Sequence, residues 1–326
     1  GIELGLAEKL AIRAVALATG QSQETITEAW KASGDLGLVA EERLQDRKQA
    51  SLVSEPLTVA QVYENLKEIA MASGSGSQDR KIKLLAELLT DASPKDAKYL
   101  ARTVVGKMRL GVADMTIVDA LAATYATKED RDRVERAYNV SSDLGEVARV
   151  LADQGIAGMD TIHLKLFRPI RSMLAERLET LEEIMERLGE CALEYKYDGL
   201  RVQAHVSREK IQLYSRQLEN ITEQFPEIVE GLKTAIRAEE AIVEGEAVPV
   251  DSNTGEFLPF QEVSRRRGRK TDVERMAQEF PVTLFVFDCL LLEGEDLTTT
   301  TYLERRAAVD TVLKESDCIR RATYKR

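Results

Sequence analysis

The sequence predicts a multidomain chain. An all-α first part covers residues 1–165, and an α+β second part, residues 166–326, has strands that pair antiparallel. Three observations lead there. Apolar residues of the first part keep a helical period, and strand-like alternation is nearly absent. Near residue 165 the pattern changes through a polar, Pro-containing stretch, Phe167-Arg168-Pro169-Ile170-Arg171-Ser172. Beyond it, short alternating runs follow one another without helices between them, which favours antiparallel neighbours. A chain of 326 residues has room for two cores.

Each element has its own signal. Leu4, Leu6, Ala7, Leu10, Ala11 and Ala14 share a helical face, and Gly20 is a stop. Residues 59–71 form a helix with Val62, Leu66 and Ile69 on one side. Residues 73–77 alternate Ser and Gly and read as a loop. Residues 81–90 place Ile82, Leu84, Leu85, Leu88 and Leu89 at helical spacing. Ser93-Pro94 reads as a cap followed by Pro at the first helical position. Residues 115–125 and 174–188 are further helices. Residues 192–206 hold short strand runs around the Asp198-Gly199 turn. Residues 211–215 alternate, and residues 241–250 and 282–292 are β-rich.

Composition excludes several classes. With 44% hydrophobic and 31% charged residues, the chain is not disordered throughout. No apolar run approaches the roughly 20 residues that span a bilayer, so no membrane partner is expected. The N-terminus carries no basic region of the signal-peptide kind. Cys191, Cys289 and Cys318 are widely spaced, and only His163 and His205 accompany them. That argues against a disulfide framework or a zinc centre, and a reducing intracellular compartment (cytoplasm, or nucleus in a eukaryote) is the expectation. The formal charge is −11, and neither half is net basic. Any phosphate-binding surface must then be a local patch. The basic run 265–270, broken only by Gly268, fits either a solvated loop or a DNA contact.

Lys196-Tyr197-Asp198-Gly199-Leu200-Arg201 is the most informative hexapeptide. A lysine is a nucleophile only as the neutral amine, which desolvation or neighbouring cations favour. A glycine nearby lets backbone approach a ligand, and an arginine can neutralise phosphate. Taken alone, the hexapeptide also fits a surface turn.

Lys-x-Asp-Gly-x-Arg resembles the first motif of the covalent nucleotidyltransferases: DNA ligases, RNA ligases and mRNA capping enzymes. Further stretches follow in that family's order. Leu213-Tyr214-Ser215-Arg216 is similar to its Ser-Arg motif, and residues 243–248, Val-Glu-Gly-Glu-Ala-Val, to its third motif. Residues 284–288, Leu-Phe-Val-Phe-Asp, resemble the aromatic motif that stacks on the base. Residues 102–113, within the helical part, resemble the DNA-binding domain of replicative ATP-dependent DNA ligases of the archaeal and eukaryotic type. Leu258-Pro259-Phe260-Gln261, ahead of the basic run, is similar to the same ligases.

The resemblance implies an all-α DNA-binding domain at 1–165 and an antiparallel-sheet adenylation domain at 166–326. ATP and Mg²⁺ are the implied cofactors and nicked duplex DNA the implied partner. A sliding clamp is a further partner expected of the family, and a monomer the expected state. Lys196 would attack the ATP α-phosphate and hold AMP as a phosphoramidate. AMP would then pass to the 5′-phosphate of a nick, and the 3′-hydroxyl would expel it. Glu194 would accept from the adenine amino group; read alone, it is an exposed strand glutamate. Arg201 and Arg216 would contact phosphate or ribose. Glu246 would bind ribose or the metal, with Glu244 at a variable family position. Phe287 would stack on adenine, or, read alone, belong to a strand core. Asp198 would orient the loop. Gly106, Lys107, Arg109, Gly111 and Ala113 are the DNA-contact candidates, binding backbone in a sequence-independent, salt-sensitive way.

The family's fourth and fifth motifs and its C-terminal OB-fold domain find no match, and the helical domain starts late. The resemblance therefore implies an incomplete chain that is poor or inactive at self-adenylylation. At Ser172 the family pattern has Pro, a departure that bears on the linker only. Two other readings stay open: another lysyl-nucleotidyltransferase (an RNA ligase or capping guanylyltransferase), or a DNA-binding fragment without catalysis.

Overall fold

The computed structural model describes residues 4–46, 56–173, 175–251, 254–264, 266 and 273–325. Backbone contacts group the chain into two units, Gly1–Val112 and Ala113–Arg326.

The first unit is helical: α1 (Glu8–Thr19), α2 (Gln23–Ser33), α3 (Leu36–Gln45), α4 (Val59–Met71), α5 (Ser77–Asp91) and α6 (Pro94–Val104). The helices start where local chemistry satisfies their free N–H groups. The Ser93 hydroxyl accepts from the Asp96 N–H at 3.2 Å, just ahead of Pro94. Thr58 and Gln61 form a reciprocal capping box in front of α4. Gly20 closes α1 in the left-handed conformation, as its position in the sequence predicts. Ala14, Val15, Ile26, Val39, Ile69, Leu85 and Leu89 form the core. Burying each larger side chain contributes about 2 kcal/mol. Helices α3 and α6 touch at Gly37, where a Cβ would lie 2.6 Å from the Lys98 carbonyl oxygen.

The second unit begins with α7 (Asp114–Tyr125), α8 (Arg131–Ser141) and α9 (Leu144–Gln154). A connector leads to α10 (Leu181–Leu188) and β1 (Leu193–Glu194). Then come β2 (Leu200–Ser207), β3 (Ile211–Ser215), α11 (Pro226–Ala235) and β4 (Glu240–Pro249). Short helices α12 (Phe260–Ser264) and α13 (Val273–Glu279) precede β5 (Val282–Leu292) and β6 (Glu295–Asp296). The unit ends with α14 (Tyr302–Val312), β7 (Ile319–Arg321) and β8 (Tyr324–Lys325). The main sheet runs β3-β2-β4-β5-β6, antiparallel throughout, and β7 adds to β5 in parallel. Strands β1 and β8 pair separately.

One sheet face buries Val202, Ala204, Leu213, Val243, Leu284 and Val286 against Ile228 and Leu232 of α11 and Val309 and Val312 of α14. On the other face Ile242, Leu290 and Leu291 share a cluster with Val118, Val134, Val147, Leu151 and Ile170. Helices α7–α9 thus look like the first unit in sequence but bury their apolar side on the sheet. The helical part that ends near residue 165 in sequence is in this sense shared between the two units. Hydrophobic period reports that a segment is helical, not which core it joins.

The helix expected over 174–188 starts only at Leu181, where Thr180 and Glu183 form a capping box. Residues 175–180 are not helical, and Leu174 lies outside the described residues.

Candidate active site

The hexapeptide runs from the turn after β1 into the start of β2, and its glycine is required by a close approach. A Cβ on Gly199 would lie 2.4 Å from the Ala247 carbonyl oxygen and 3.0 Å from Glu246 Cγ. The absent side chain lets the loop lie on β4, so that Lys196 stands beside Glu246. Antiparallel register places Arg201 directly opposite Glu246.

Six residues expected from sequence line one cavity of about 680 Å³: Glu194, Lys196, Arg201, Arg216, Glu246 and Phe287. Phe260, from the stretch that follows β4, lines it too. Lys196 is exposed and makes no hydrogen bond or ion pair among the described residues. Arg201 and Arg216 line the same cavity. Burial raises the Glu246 carboxyl above the usual glutamate range, opposed by Arg201, by the Gly199 N–H bonded to it and by Lys196. Asp198 is exposed at the loop.

Strand β5 carries Phe287 on a bulge. Val286 pairs with Gly245 and Asp288 with Glu244, which leaves Phe287 without a partner across the ladder. Alternation along β5 sets Phe287 toward the cavity while Leu284 and Val286 face the core, and the bulge shifts the register beyond it. Gly245 stands opposite, where a Cβ would lie 2.7 Å from the Phe285 carbonyl oxygen. The free Phe287 carbonyl accepts from the buried Arg306 guanidinium at 2.9 Å, and Arg306 also donates to the Ala322 carbonyl at 2.8 Å. The Arg201 guanidinium lies over the Phe287 ring, 4.4 Å from its centroid. One ring face is therefore covered by Arg201.

Further residues shape the site. The Ser215 hydroxyl accepts from the N–H groups of Gln217 and Glu219, both at 3.3 Å, and shapes the turn that presents Arg216. Leu218 completes that turn with a φ of 65°. The Tyr302 hydroxyl donates to Glu194 at 2.8 Å, and burial and this bond push the phenol up. Glu244 is buried and paired with Arg201. Tyr197 stacks on Phe285 at 4.5 Å, which anchors the loop beside Lys196.

The DNA-contact candidates lie on an exposed loop after α6. Gly106 and Gly111 adopt φ of 69° and 66° with open space around them, so backbone conformation is the reason for glycine. Lys107 pairs with Glu8 at 2.7 Å, and Arg109 donates to the Gly34 carbonyl at 2.5 Å. Both cations thus have partners within their own unit. Ala113 precedes α7, whose first turn has no side-chain cap.

The basic run gives a correction. Arg266 is 2% exposed; it donates to Glu227 and the Gln224 carbonyl and lies over the Phe225 ring. It is a core anchor, not a DNA contact. Residues 265 and 267–270 lie outside the described residues.

Comparison with known proteins gives the family of the chain. Residues 172–325 match the model described as ATP dependent DNA ligase domain, and residues 1–122 the model described as DNA ligase N terminus. DNA ligase 2 of Thermofilum pendens is 47% identical over 97% of this chain and 54% of its own length. The DNA ligase of Nitrosopumilus maritimus is 45% identical over 98% of this chain and 55% of its own. That of Acidianus ambivalens is 45% identical over 99% and 55%. The chain spans about half the length of the curated relatives it matches. It belongs to the ATP-dependent DNA ligase family, and what it holds is the N-terminal helical domain and the adenylation domain.

Proposed function

We propose that this chain carries the nucleotidyl-transfer centre of an ATP-dependent DNA ligase that seals nicks in duplex DNA. The observation that carries the reading is the convergence of Lys196, Glu194, Arg201, Arg216, Glu246 and Phe287 on one cavity. Residues 1–165 serve DNA contact and residues 166–326 nucleotidyl transfer. Gly106, Lys107, Arg109, Gly111 and Ala113 bind the duplex backbone without reading sequence.

ATP fits this cavity in size and in chemistry. Arg201 keeps its buried Nε without a hydrogen-bond partner among the described residues, a donor that a phosphate or ribose oxygen satisfies. Lys196 Nζ attacks the α-phosphorus, a P–N bond forms, the P–O bond to pyrophosphate breaks, and the amine gives up its proton. Arg201 and Arg216 neutralise the phosphate charge that in-line transfer develops. Glu194 accepts from the adenine amino group, and Phe287 stacks on the base, a contact worth about 1–3 kcal/mol. Glu246 is the residue placed to hold Mg²⁺, which when bound neutralises phosphate charge. The lysyl-bound AMP then passes to the 5′-phosphate at a nick, and the 3′-hydroxyl displaces it.

Intact mass after incubation with Mg²⁺ and either ATP or GTP tests this. An AMP-sized gain with ATP alone, absent in Lys196→Ala, is expected. A gain with GTP points to a capping guanylyltransferase. Nick binding with no gain points to a DNA-binding fragment.

A further inference from the structure

The face of β2 that displays Arg201 continues into the molecule as Gln203 and His205, two and four residues on. Glu244 lies directly opposite Gln203 on β4. Gln203 is 3% exposed and His205 fully buried. These polar groups form one unbroken chain. Glu244 accepts from Arg201 through one oxygen and from Gln203 Nε2 at 2.9 Å through the other. The Gln203 amide also bonds both backbone groups of Ile170: its Nε2 donates to the carbonyl at 3.1 Å and its Oε1 accepts from the N–H at 2.9 Å. Next in line, His205 Nδ1 accepts from the Phe167 N–H at 2.9 Å. That fixes the tautomer, so His205 Nε2 carries the proton and donates to Gln203 Oε1 at 2.9 Å. The Tyr214 hydroxyl adds a bond to the Phe167 carbonyl at 2.9 Å.

The side-chain polar groups of Glu244, Gln203 and His205 all have partners, and they are buried in a sheet face otherwise lined by Ile242 and Leu290. Apolar residues would fill the same space. A buried carboxylate with two donors also has one preferred geometry, and so therefore does the arginine bonded to it.

We propose that Gln203 is a positioning residue for nucleotide binding: through Glu244 it sets the Arg201 guanidinium, and the same amide ties the connector at Phe167–Ile170 to the site. His205 serves by fixing the amide's orientation. A nucleotide that engages Arg201 therefore tightens the connector, and loosening the connector weakens nucleotide binding. This rests on the proposed nucleotide site and adds to it a residue outside the cavity.

The test uses the full chain, Gln203→Met (similar volume, no amide) and Arg201→Ala. ATP affinity is measured directly, and amide hydrogen exchange is followed at Phe167 and Ile170 with and without ATP. Gln203→Met is expected to weaken ATP binding about tenfold, the equivalent of one buried hydrogen bond to a charged group. In the unsubstituted chain ATP slows exchange at Ile170; in both variants that slowing is lost. Faster exchange in Gln203→Met with unchanged ATP affinity overturns the proposal, since Gln203 then only holds the fold. If Gln203→Met does not fold, the unsubstituted chain and Arg201→Ala still decide: ATP binding without slower exchange at Ile170 overturns it. A chain that binds no ATP and takes no AMP overturns the nucleotide site itself, and this inference with it.

Discussion

Gly199 shows how much one missing atom does at the residue scale. Its Cα lies against the backbone of Ala247, so Gly199→Ala is expected to push the loop off β4. We expect a loss of about 2 kcal/mol in stability, as for overpacking elsewhere, together with a larger loss of AMP transfer; thermal unfolding and intact mass separate the two. His205 makes a second residue-scale prediction. Burial lowers its pKa from 6.5 to about 4, so the folded state holds it neutral. The unfolded chain takes up a proton that the folded chain refuses as pH falls from about 6.5 to about 4. Stability is complete above that window and falls by about 3 kcal/mol across it. Urea unfolding over this range is expected to be steeper in pH for the unsubstituted chain than for His205→Phe. At this scale the residues that line the cavity were legible, because a lysine, a turn glycine and an arginine stand at fixed spacing in the hexapeptide. Tyr302 was not: it reaches Glu194 across 108 positions, and no local pattern reports such a bond.

Elements obey local chemistry where their ends are capped and tertiary packing where they are not. The strands at 211–215 and 282–292 stand at the bounds their alternation gives. The bulge at Phe287 was not legible, since it depends on how β4 pairs with β5. The helix over 174–188 was read too long, because its apolar residues keep the period while the capping box at Thr180 decides the start. Arg266 belongs at this scale as the tie between the segment after α12 and the start of α11. Arg266→Met is expected to cost about 3 kcal/mol, since it takes the buried guanidinium away from the Glu227 carboxylate. Chemical unfolding measures that loss. A substitution that left stability unchanged would show that solvent replaces the guanidinium.

At the scale of the whole molecule, sequence divided the chain by composition and the fold divides it by contact. The core of the first unit lies wholly within residues 4–105. Residues 1–112 produced alone are therefore expected to be helical by circular dichroism and to melt cooperatively. A non-cooperative melt would show that this core needs the rest of the chain. Helices α7–α9 escaped the sequence division because period identifies their buried side but not its partner. The family was legible because its motifs need few residues at defined places, whereas the buried polar chain from Glu244 to Phe167 joins positions that look unremarkable one at a time.

The most direct test of the central claim is peptide mapping by tandem mass spectrometry after incubation with ATP and Mg²⁺. We predict AMP on the peptide containing Lys196, bonded to its Nζ, and on no other lysine. AMP on a different residue, or retained in Lys196→Ala, would contradict the assignment of this cavity as the site of transfer.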